Sequence, residues 1–515
     1  MDLYTLLIGL LFVLAVSDLI VGVSNDAVNF TNSAIGSRAA SRLVILSVAA
    51  LGILLGTVFS VGMMDIARTG VFNPEMFRFH DVMIIFVAVM VTDVLLLDLY
   101  NTFALPTSTT VSLVFELLGA AVAVSLAHVV AAGEPLAALG GYINSDKALA
   151  MIGAIFVSVI IAFTVGLTVQ FLTRMLFTFD LARSARRYGA IWGAMAVTLI
   201  GYYILLKGMK GSVLIGPEQR AWVEANTAVV IWGSLGCWTL VFFALQRIWR
   251  VDVLRVVVLV GTFALALAFA ANDLVNFIGV PFAGYAAWLA ASGTPDPGAM
   301  GMAVLREPAR LETWMLLLAG AIMVVTLWTS RKARAVTATE VNLSRQDSAE
   351  QPFEALGVAR GMVRLFWQIA VTGRRMTPLA MRQWIQSRFR PLRPVPEADL
   401  PAFDMLRAAA NLTIASSLIA LGTTLKLPLS TTYVTFMVAM GTALADRAWG
   451  RDTAAERITG VMTVIGGWFI TAVLAFTGAA LVAGVVYLGG TVALVIVAVA
   501  ALVVVVRSQR WRREG

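Results

Sequence analysis

The chain has little of what a water-soluble protein needs. Its 515 residues include one Cys and two His, and charged residues make up 13%, about half the roughly 25% usual in soluble domains. With Cys237 alone, a disulfide framework within the chain is excluded. Two His are also too few for a histidine proton relay or a histidine-rich metal site. The composition therefore argues against a soluble enzyme and against a disulfide-rich secreted domain.

Apolar residues dominate instead. Hydrophobic side chains make up 59% of the sequence, and the mean hydropathy is +0.87. About 20 apolar residues suffice to cross a bilayer, and such stretches recur from Leu3–Val23 to Val492–Val506. The N-terminus lacks a basic segment, so we expect a retained first helix. The net charge of +8 comes from Lys and Arg in short loops, which does not favour a nucleic-acid partner. We predict an all-α polytopic protein of a cell or inner membrane.

The basic residues predict which side each loop faces. They cluster at Arg174–Arg187, at Arg247–Arg255, in the tail Arg507–Arg513, and in Arg331–Asp404, where twelve Lys and Arg stand against seven acids. The positive-inside rule places these four segments, including the long loop and the C-terminus, in the cytoplasm. Lys207, Lys210 and Arg220 fall on the opposite side in this scheme. We interpret Arg331–Asp404 as a solvated loop insert with an amphipathic patch at Phe366–Ile369.

Two short blocks of sequence occur twice. The block Asn25–Phe30 recurs as Asn272–Phe277 at an offset of 247, and Leu105–Thr110 recurs as Leu427–Thr432 at an offset of 322. The two offsets differ by nearly the length of the 331–404 insert, so one insertion reconciles both matches. The chain is therefore interpreted as a duplicated unit.

The duplication divides the chain into five parts. Residues 1–172 form the first repeat, 173–250 connecting helices, 251–330 the first part of the second repeat, 331–404 the insert, and 405–515 the rest. With the basic loops inside, the first repeat starts outside and the second starts inside. We therefore predict two inverted-topology repeats with broken helices, and two re-entrant-type helical hairpins at the repeated Pro-x-Ser-Thr-Thr segments.

The Asn-Asp-x-x-Asn blocks place costly groups in apolar surroundings. A carboxylate at the bilayer centre costs about 2.5–3.5 kcal/mol on insertion scales, so such groups survive where they face an ion, a partner or a cavity. Carboxylate and amide oxygens suit Na⁺ or a proton better than a soft metal. Nearby Gly22, Ser24 and Gly36 would permit a local break in the helix. The candidate residues are Asn25, Asp26, Asn29, Asn272, Asp273 and Asn276.

The Pro-x-Ser-Thr-Thr blocks favour an anion. Pro106 and Pro428 suit the first turn of a helix, and a helix N-terminus offers free N–H groups and the positive end of a dipole. Neither block contains Lys or Arg, so an anion there would depend on dipoles, hydroxyls and co-bound cations. The hydroxyl-bearing candidates are Ser108, Thr109, Thr110, Ser430, Thr431 and Thr432.

At these motifs the sequence resembles the inorganic phosphate transporter (PiT) family of ion-coupled phosphate symporters. The resemblance covers most of the chain outside 331–404, with Ser24 and Ala270 departing from the family's Ala and Gly. It implies phosphate as substrate, Na⁺ or H⁺ as coupling ion, and no other cofactor. It further implies that the hairpin residues above, with Asn25 and Asn272, bind phosphate, and that Asp26, Asn29, Asp273 and Asn276 bind the cation. A homodimer is a further expectation.

Two other transport functions are alternatives to phosphate symport. A sulfate symporter is the first, and an anion channel is less favoured. A membrane enzyme is disfavoured because no nucleophile–base pair or nucleotide loop occurs.

Four intramembrane acids occur in one half only, and we expect them to serve packing or gating more than substrate contact. They are Asp18, Asp93, Asp98 and Glu116, opposite Leu265, Ala415, Ala420 and Val438.

Overall fold

The computed structural model describes residues 3–203, 217–307, 313–344, 377–389, 401–446 and 454–514, with single positions at 361, 364 and 368. Within these ranges every regular element is a helix, and two isolated bridges join loops. Eight of the described helices are long and apolar enough to cross a membrane, or ten if two bent pairs each count as one span. The predicted all-α, multi-pass architecture is confirmed.

The first half of the chain contains five main helices joined by short turns. The helices are α1 Leu3–Gly36, α2 Arg42–Val58, α3 Phe79–Thr102, α4 Thr109–Ala132 and α5 Ser145–Phe177. Short helical turns lie between them at Ser60–Met63, Ile66–Gly70, Pro74–Met76, Leu136–Ala138 and Leu139–Tyr142.

Connecting helices lead to a second set of helices. The connectors are α6 Leu181–Gly201, α7 Pro217–Ala225 and α8 Thr227–Ile248. The second set is α9 Val253–Ala291, α10 Thr313–Thr329, α11 Arg331–Leu343, α12 Leu379–Arg388, α13 Met405–Thr424, α14 Thr431–Ala445 and α15 Ala454–Glu514, with turns at Pro297–Ala299 and Met302–Arg306. Gly490 kinks α15, where its φ of 60° is open to glycine without a Cβ clash.

The helices α1 and α9 pack against each other in opposite directions. Phe30 lies against Phe269, with ring centroids 5.1 Å apart, while Phe12 lies against Phe282 at 6.1 Å. Residue numbers therefore fall along α9 as they rise along α1. Between these contacts, the ring of Phe277 occupies the space beside Gly22, where a Cβ would approach it to 2.1 Å. An antiparallel pair is what inverted repeats require of their first helices.

Each hairpin packs against the last long helix of the other half. The first hairpin is formed by α3 and α4, and the second by α13 and α14. In the first, α4 lies against α15, and in the second, α14 lies against α5. A Cβ on Gly119 would lie 2.1 Å from the Phe476 carbonyl oxygen, and one on Gly441 would lie 2.3 Å from that of Phe163. These two glycines are 322 positions apart, the same offset as the hairpin motifs. Both interfaces therefore depend on backbone contact that only glycine permits.

The broken helices do not lie where the sequence placed them. We expected a break near Gly22 and Ser24, but α1 and α9 run unbroken through both Asn-Asp motifs. The bends of 60° and 69° occur instead after α2, before Ser60–Gly70, and between α10 and α11. A break at the motifs is unnecessary because side chains of the hairpins satisfy the buried Asn and Asp groups.

The first residues of the expected loop insert belong to the bundle. We expected 331–404 to be solvated, yet α11 packs against α1 and buries Lys332, Val336 and Glu340. The bundle therefore includes α11 and the described residues up to 344. Phe366–Ile369 lies mostly outside the described residues, as do Lys207 and Lys210, and no side-chain position is described for Arg220.

Candidate functional site

The two Asn-Asp motifs meet where α1 and α9 cross. Asp26 and Asp273 are fully buried, and the exposure of each motif Asn is no more than 1%. A carboxylate this deep in a membrane protein requires donors or a cation. The surrounding structure therefore has to provide partners for two acids at one point.

The hairpin tips provide these partners. α4 begins at Thr109 and α14 at Thr431, and Ser108 and Ser430 cap them by accepting a hydrogen bond from the N–H three residues later, each at 3.1 Å. We expected Pro106 and Pro428 in the first helical turn, but both lie in the hairpin loops before these caps. A serine side chain at the N-cap satisfies a free N–H, which a proline cannot do.

The second asparagine of each motif bonds to threonines of the hairpin in the other half. The amide nitrogen of Asn29 donates to the Thr431 and Thr432 hydroxyls at 3.2 and 3.0 Å. That of Asn276 donates to Thr109 and Thr110 at 3.0 and 3.1 Å. The second asparagine of each motif thus holds the hairpin that belongs to the other half of the chain.

The aspartate of each motif bonds to threonines of both hairpins. Asp26 accepts hydrogen bonds from Thr109 at 2.9 Å and from Thr432 at 3.2 Å. Asp273 accepts from Thr431, and from Thr110 at 3.3 Å. Each carboxylate therefore takes one threonine from each hairpin. All of these partners are neutral donors, so the centre carries two carboxylates held by hydroxyl and amide groups.

The first asparagine of each motif holds a hairpin loop. Asn25 donates to the Leu105 carbonyl at 3.1 Å and accepts from the Thr107 N–H at 2.8 Å. Asn272 donates to the Leu429 carbonyl at 2.8 Å and to Asp273 at 2.6 Å. These contacts fix the tips against α1 and α9.

Three residues that contact the motif asparagines were not predicted from the sequence: Asn101, Thr423 and Thr435. Asn101 accepts a hydrogen bond from Asn25 at 2.9 Å, and Thr423 donates to the Asn272 carbonyl at 3.4 Å. They are 322 positions apart, so the repeat offset that relates the hairpins could have identified them. Thr435 also reaches the Asn29 carbonyl, at 3.3 Å.

The structure thus brings the predicted site residues to one place. Eight of the twelve form the crossed network, Asn25 and Asn272 hold the hairpin loops, and Ser108 and Ser430 act as helix caps. A hydroxyl that caps a helix can still donate its proton. The arrangement offers hydroxyl and amide donors, which suit an oxyanion, beside carboxylate and amide oxygens, which suit a hard cation.

The asymmetric acids separate into two groups. Asp98 pairs with Lys332 of α11 at 2.6 Å, a buried ion pair beside the first hairpin. Asp93 and Glu116 contact Ser112 of α4, and Asp18 interacts electrostatically with both acids. None of the hydrogen bonds of these four acids involves a hairpin-tip threonine in the part of the chain described here.

Fold and site together define a polytopic helical membrane protein whose polar centre lies between two related halves. The chain belongs to the phosphate transporter family, whose family model matches residues 22–339. The match includes both Asn-Asp motifs, the first hairpin and most of α11. The family resemblance inferred from the motifs is confirmed, and the protein is a phosphate transporter by family.

A solved structure described as the sodium-dependent phosphate transporter shares this fold. The TM-score is 0.63 at 13% sequence identity, and the alignment covers 94% of this chain and 99% of that chain. At this identity the likeness concerns the fold. No curated protein sequence matches the chain.

Proposed function

We propose that the protein imports inorganic phosphate by symport with Na⁺ or H⁺, as a secondary active transporter. The observation that carries the proposal is the crossed network, in which threonines of both hairpins bond to the carboxylates of both halves. Family membership supports phosphate as the substrate. The fold shared with a sodium-dependent transporter supports Na⁺ as a coupling ion.

The network suggests how cation and phosphate binding are coupled. In this closed arrangement Thr109, Thr110, Thr431 and Thr432 donate to Asp26 and Asp273. A hydroxyl has one proton, so it cannot donate to a carboxylate and to phosphate together. A cation on the carboxylates would replace the threonines as their partner. The four hydroxyls would then be free to donate to phosphate.

We assign the roles as follows. Phosphate is bound by the threonines with Ser108 and Ser430 and by Asn25 and Asn272, which hold the tips. The coupling cation is bound by Asp26 and Asp273, with oxygens from Asn29 and Asn276. Without a cation, two carboxylates would repel an anion. This mutual requirement makes the loaded site nearly charge-neutral and the two binding events interdependent.

The alternatives use the same donors differently. A sulfate symporter would bind an oxyanion at the same hairpins, so it is separated from phosphate only by selectivity. An anion channel would not need a carboxylate pair at its centre, and the buried position of Asp26 and Asp273 disfavours it. The homodimer and the cytoplasmic position of the long loop and C-terminus stay predictions from the sequence.

The test is uptake of labelled phosphate into proteoliposomes, with Na⁺ and pH gradients imposed separately. We expect accumulation when at least one inward gradient is present and its loss when both are dissipated. Labelled sulfate is measured in parallel. Passive equilibration without any gradient would support the channel, and gradient-driven uptake of sulfate in place of phosphate would overturn the assigned substrate.

A further inference from the structure

Three acids form a separate buried group beside the transport site. Asp18 of α1, Asp93 of α3 and Glu116 of α4, which we call the acidic cluster, are each no more than 1% exposed. They lie on three helices, of which α3 packs against both α1 and α4. The repeat places apolar residues at the corresponding positions of the second half, so the acidic cluster has no counterpart there.

Proton counting at Ser112 shows that the acidic cluster is not fully ionised. The Ser112 oxygen lies 2.6 Å from Asp93 Oδ1 and 2.7 Å from Glu116 Oε1. Both are hydrogen-bond distances, yet a serine hydroxyl has one proton and can donate to one of them. The other contact requires a carboxyl group that donates to the serine oxygen. At least one of Asp93 and Glu116 therefore holds a proton in this arrangement.

Asp18 adds to the excess of acceptors. It lies close enough to Asp93 and Glu116 for electrostatic repulsion among the three acids. No hydroxyl, amide or N–H group of the described residues bonds to either Asp18 oxygen, to Asp93 Oδ2 or to Glu116 Oε2. Three carboxyl groups thus depend on one hydroxyl donor, Ser112.

The transport site shows the opposite balance. There, two carboxylates receive hydrogen bonds from four threonine hydroxyls and one asparagine amide. That site supplies each carboxylate with at least two donors, which stabilise its ionised form. The acidic cluster does not, and an ionised carboxylate without donors in a membrane interior is very costly. The number of hydrogen-bond donors per carboxyl group therefore distinguishes the transport site, which suits ionised acids, from the acidic cluster, which suits protonated acids.

The surrounding helices offer little to neutralise the acidic cluster. From α1, Asp26 of the transport site acts on it electrostatically as a further negative charge, and α9 bears Asp273. On α3 the next acid is Asp98, already bonded to Lys332 of α11. The helix α10 and residues 458–506 of α15 contain no Asp, Glu, Lys, Arg or His.

The acidic cluster is linked to the first hairpin by one helix. Thr109, Ser112 and Glu116 lie at i, i+3 and i+7 of α4, which places them on one face. Thr109 donates to Asp26 at the transport site, while Glu116 belongs to the acidic cluster and Ser112 is the hydroxyl that contacts it. A movement of α4 that frees Thr109 for substrate therefore also moves Glu116 and Ser112.

We propose that Asp18, Asp93 and Glu116 form a proton-binding site that loads and releases H⁺ as the first hairpin moves, so that protons contribute to the coupling. The proposal rests on the proposed function and deepens it: Na⁺ is assigned to the Asp26–Asp273 pair and H⁺ to the acidic cluster. The asymmetry of the acidic cluster then gives the two hairpins different roles in the cycle.

The transport test measures protons and phosphate together. Proteoliposomes containing a pH-sensitive dye take up labelled phosphate under a fixed inward Na⁺ gradient, and the number of H⁺ moved per phosphate is determined. Glu116→Gln and Asp93→Asn replace the acid by a neutral group of the same shape. We expect each variant to move one H⁺ fewer per phosphate and to lose part of its pH dependence. Protons carried on phosphate itself are common to all samples and cancel in the comparison.

Asp98→Asn is the matched control, because Asp98 is a buried acid on the same helix but is already paired with Lys332. Its proton count per phosphate should equal that of the unchanged protein. If Glu116→Gln and Asp93→Asn also keep the unchanged count while transporting phosphate, the proton site is refuted and the transporter assignment survives.

A second measurement needs neither transport nor a folded variant. Infrared spectra of the unchanged protein near neutral pH should contain the carbonyl stretch of a protonated carboxyl group, which disappears on raising the pH. Its absence at neutral pH would overturn the proposal. Its loss on adding Na⁺ at constant pH would also overturn it, because the acidic cluster would then be a sodium site.

Discussion

Asp26 and Asp273 occupy equivalent positions in the two halves, and each accepts hydrogen bonds from one threonine of each hairpin. Neither carboxylate is satisfied by its own half alone. Both hairpins therefore have to be in place for either acid to be stable in the membrane interior. This reciprocity ties the state of one half to that of the other.

We expect Asp26→Asn and Asp273→Asn to fold but to lose coupled uptake. The amide keeps the shape of the carboxylate but loses the negative charge that the cation requires. Hydrogen bonds to charged groups are worth about 1.5–3 kcal/mol, so uptake should fall by roughly 10- to 100-fold. Initial rates of labelled phosphate uptake, compared at equal reconstituted protein, measure the loss.

Because the two sites are related by the repeat, both variants should be affected to a similar degree. A variant that transports at the unchanged rate with unchanged ion dependence would remove that aspartate from the cation site.

We expect arsenate to compete with phosphate and sulfate not to compete. Near neutral pH phosphate and arsenate retain a proton, whereas sulfate has none to donate. A carboxylate or Asn carbonyl facing the substrate can accept from the first two but leaves sulfate opposite an unpaired acceptor. Sites that use a substrate donor can reject an analogue without it by about 10⁴-fold or more. Inhibition of labelled phosphate uptake by each unlabelled anion gives the ranking, and equal inhibition by sulfate and arsenate would contradict it.

We expect Gly119→Ala and Gly441→Ala to destabilise the protein. The new methyl group would lie 2.1 or 2.3 Å from a backbone carbonyl oxygen of the facing helix, which cannot move aside without shifting the helix. Overpacking of this kind costs about 1–3 kcal/mol. Thermal unfolding in detergent should therefore occur at a lower temperature for both variants.

Gly153→Ala on α5 is the control, because a Cβ at Gly153 has nothing within 4 Å. It should unfold at the original temperature or slightly above it, since alanine favours helix. Equal melting of all three variants would show that the hairpin interfaces tolerate more separation than the structure indicates.

We expect Arg174→Met to be strongly destabilising. Arg174 is fully buried and bonds to Asp446 at 2.6 Å and to Asp404 at 2.8 Å, joining α5 to both ends of the second hairpin. Removing one partner of a buried ion pair costs about 3–5 kcal/mol. The free energy of unfolding by denaturant in detergent should fall accordingly.

Two comparisons identify the cause. Arg183→Met removes an exposed arginine 3.8 Å from Asp180 and should change little. Adding Asp446→Asn to Arg174→Met removes a buried carboxylate charge that the first substitution leaves without its arginine. The double variant should therefore recover part of the lost free energy of unfolding. No recovery would mean that packing of the arginine, and not its charge, stabilises this contact.

The amino-acid sequence alone determined the membrane class, and it predicted the duplication and the candidate residues of the transport site that the structure brings together. Those conclusions depend on local composition and on two repeated blocks, which need no knowledge of packing. It did not determine which hairpin bonds to which motif, because the Asn29–Thr432 contact joins residues 403 positions apart. Local periodicity has no information about such pairs.

Tertiary structure likewise decided the position of the helix breaks, the burial of α11 and the gathering of Asp18, Asp93 and Glu116. Each acid looked isolated in its own apolar stretch, and the Ser112 hydroxyl that joins Asp93 to Glu116 gave no signal in the sequence. The reason is physical: a buried polar group is stable only with a partner. The partner is set by how whole helices cross, as it is for Asn25 and the Leu105 carbonyl.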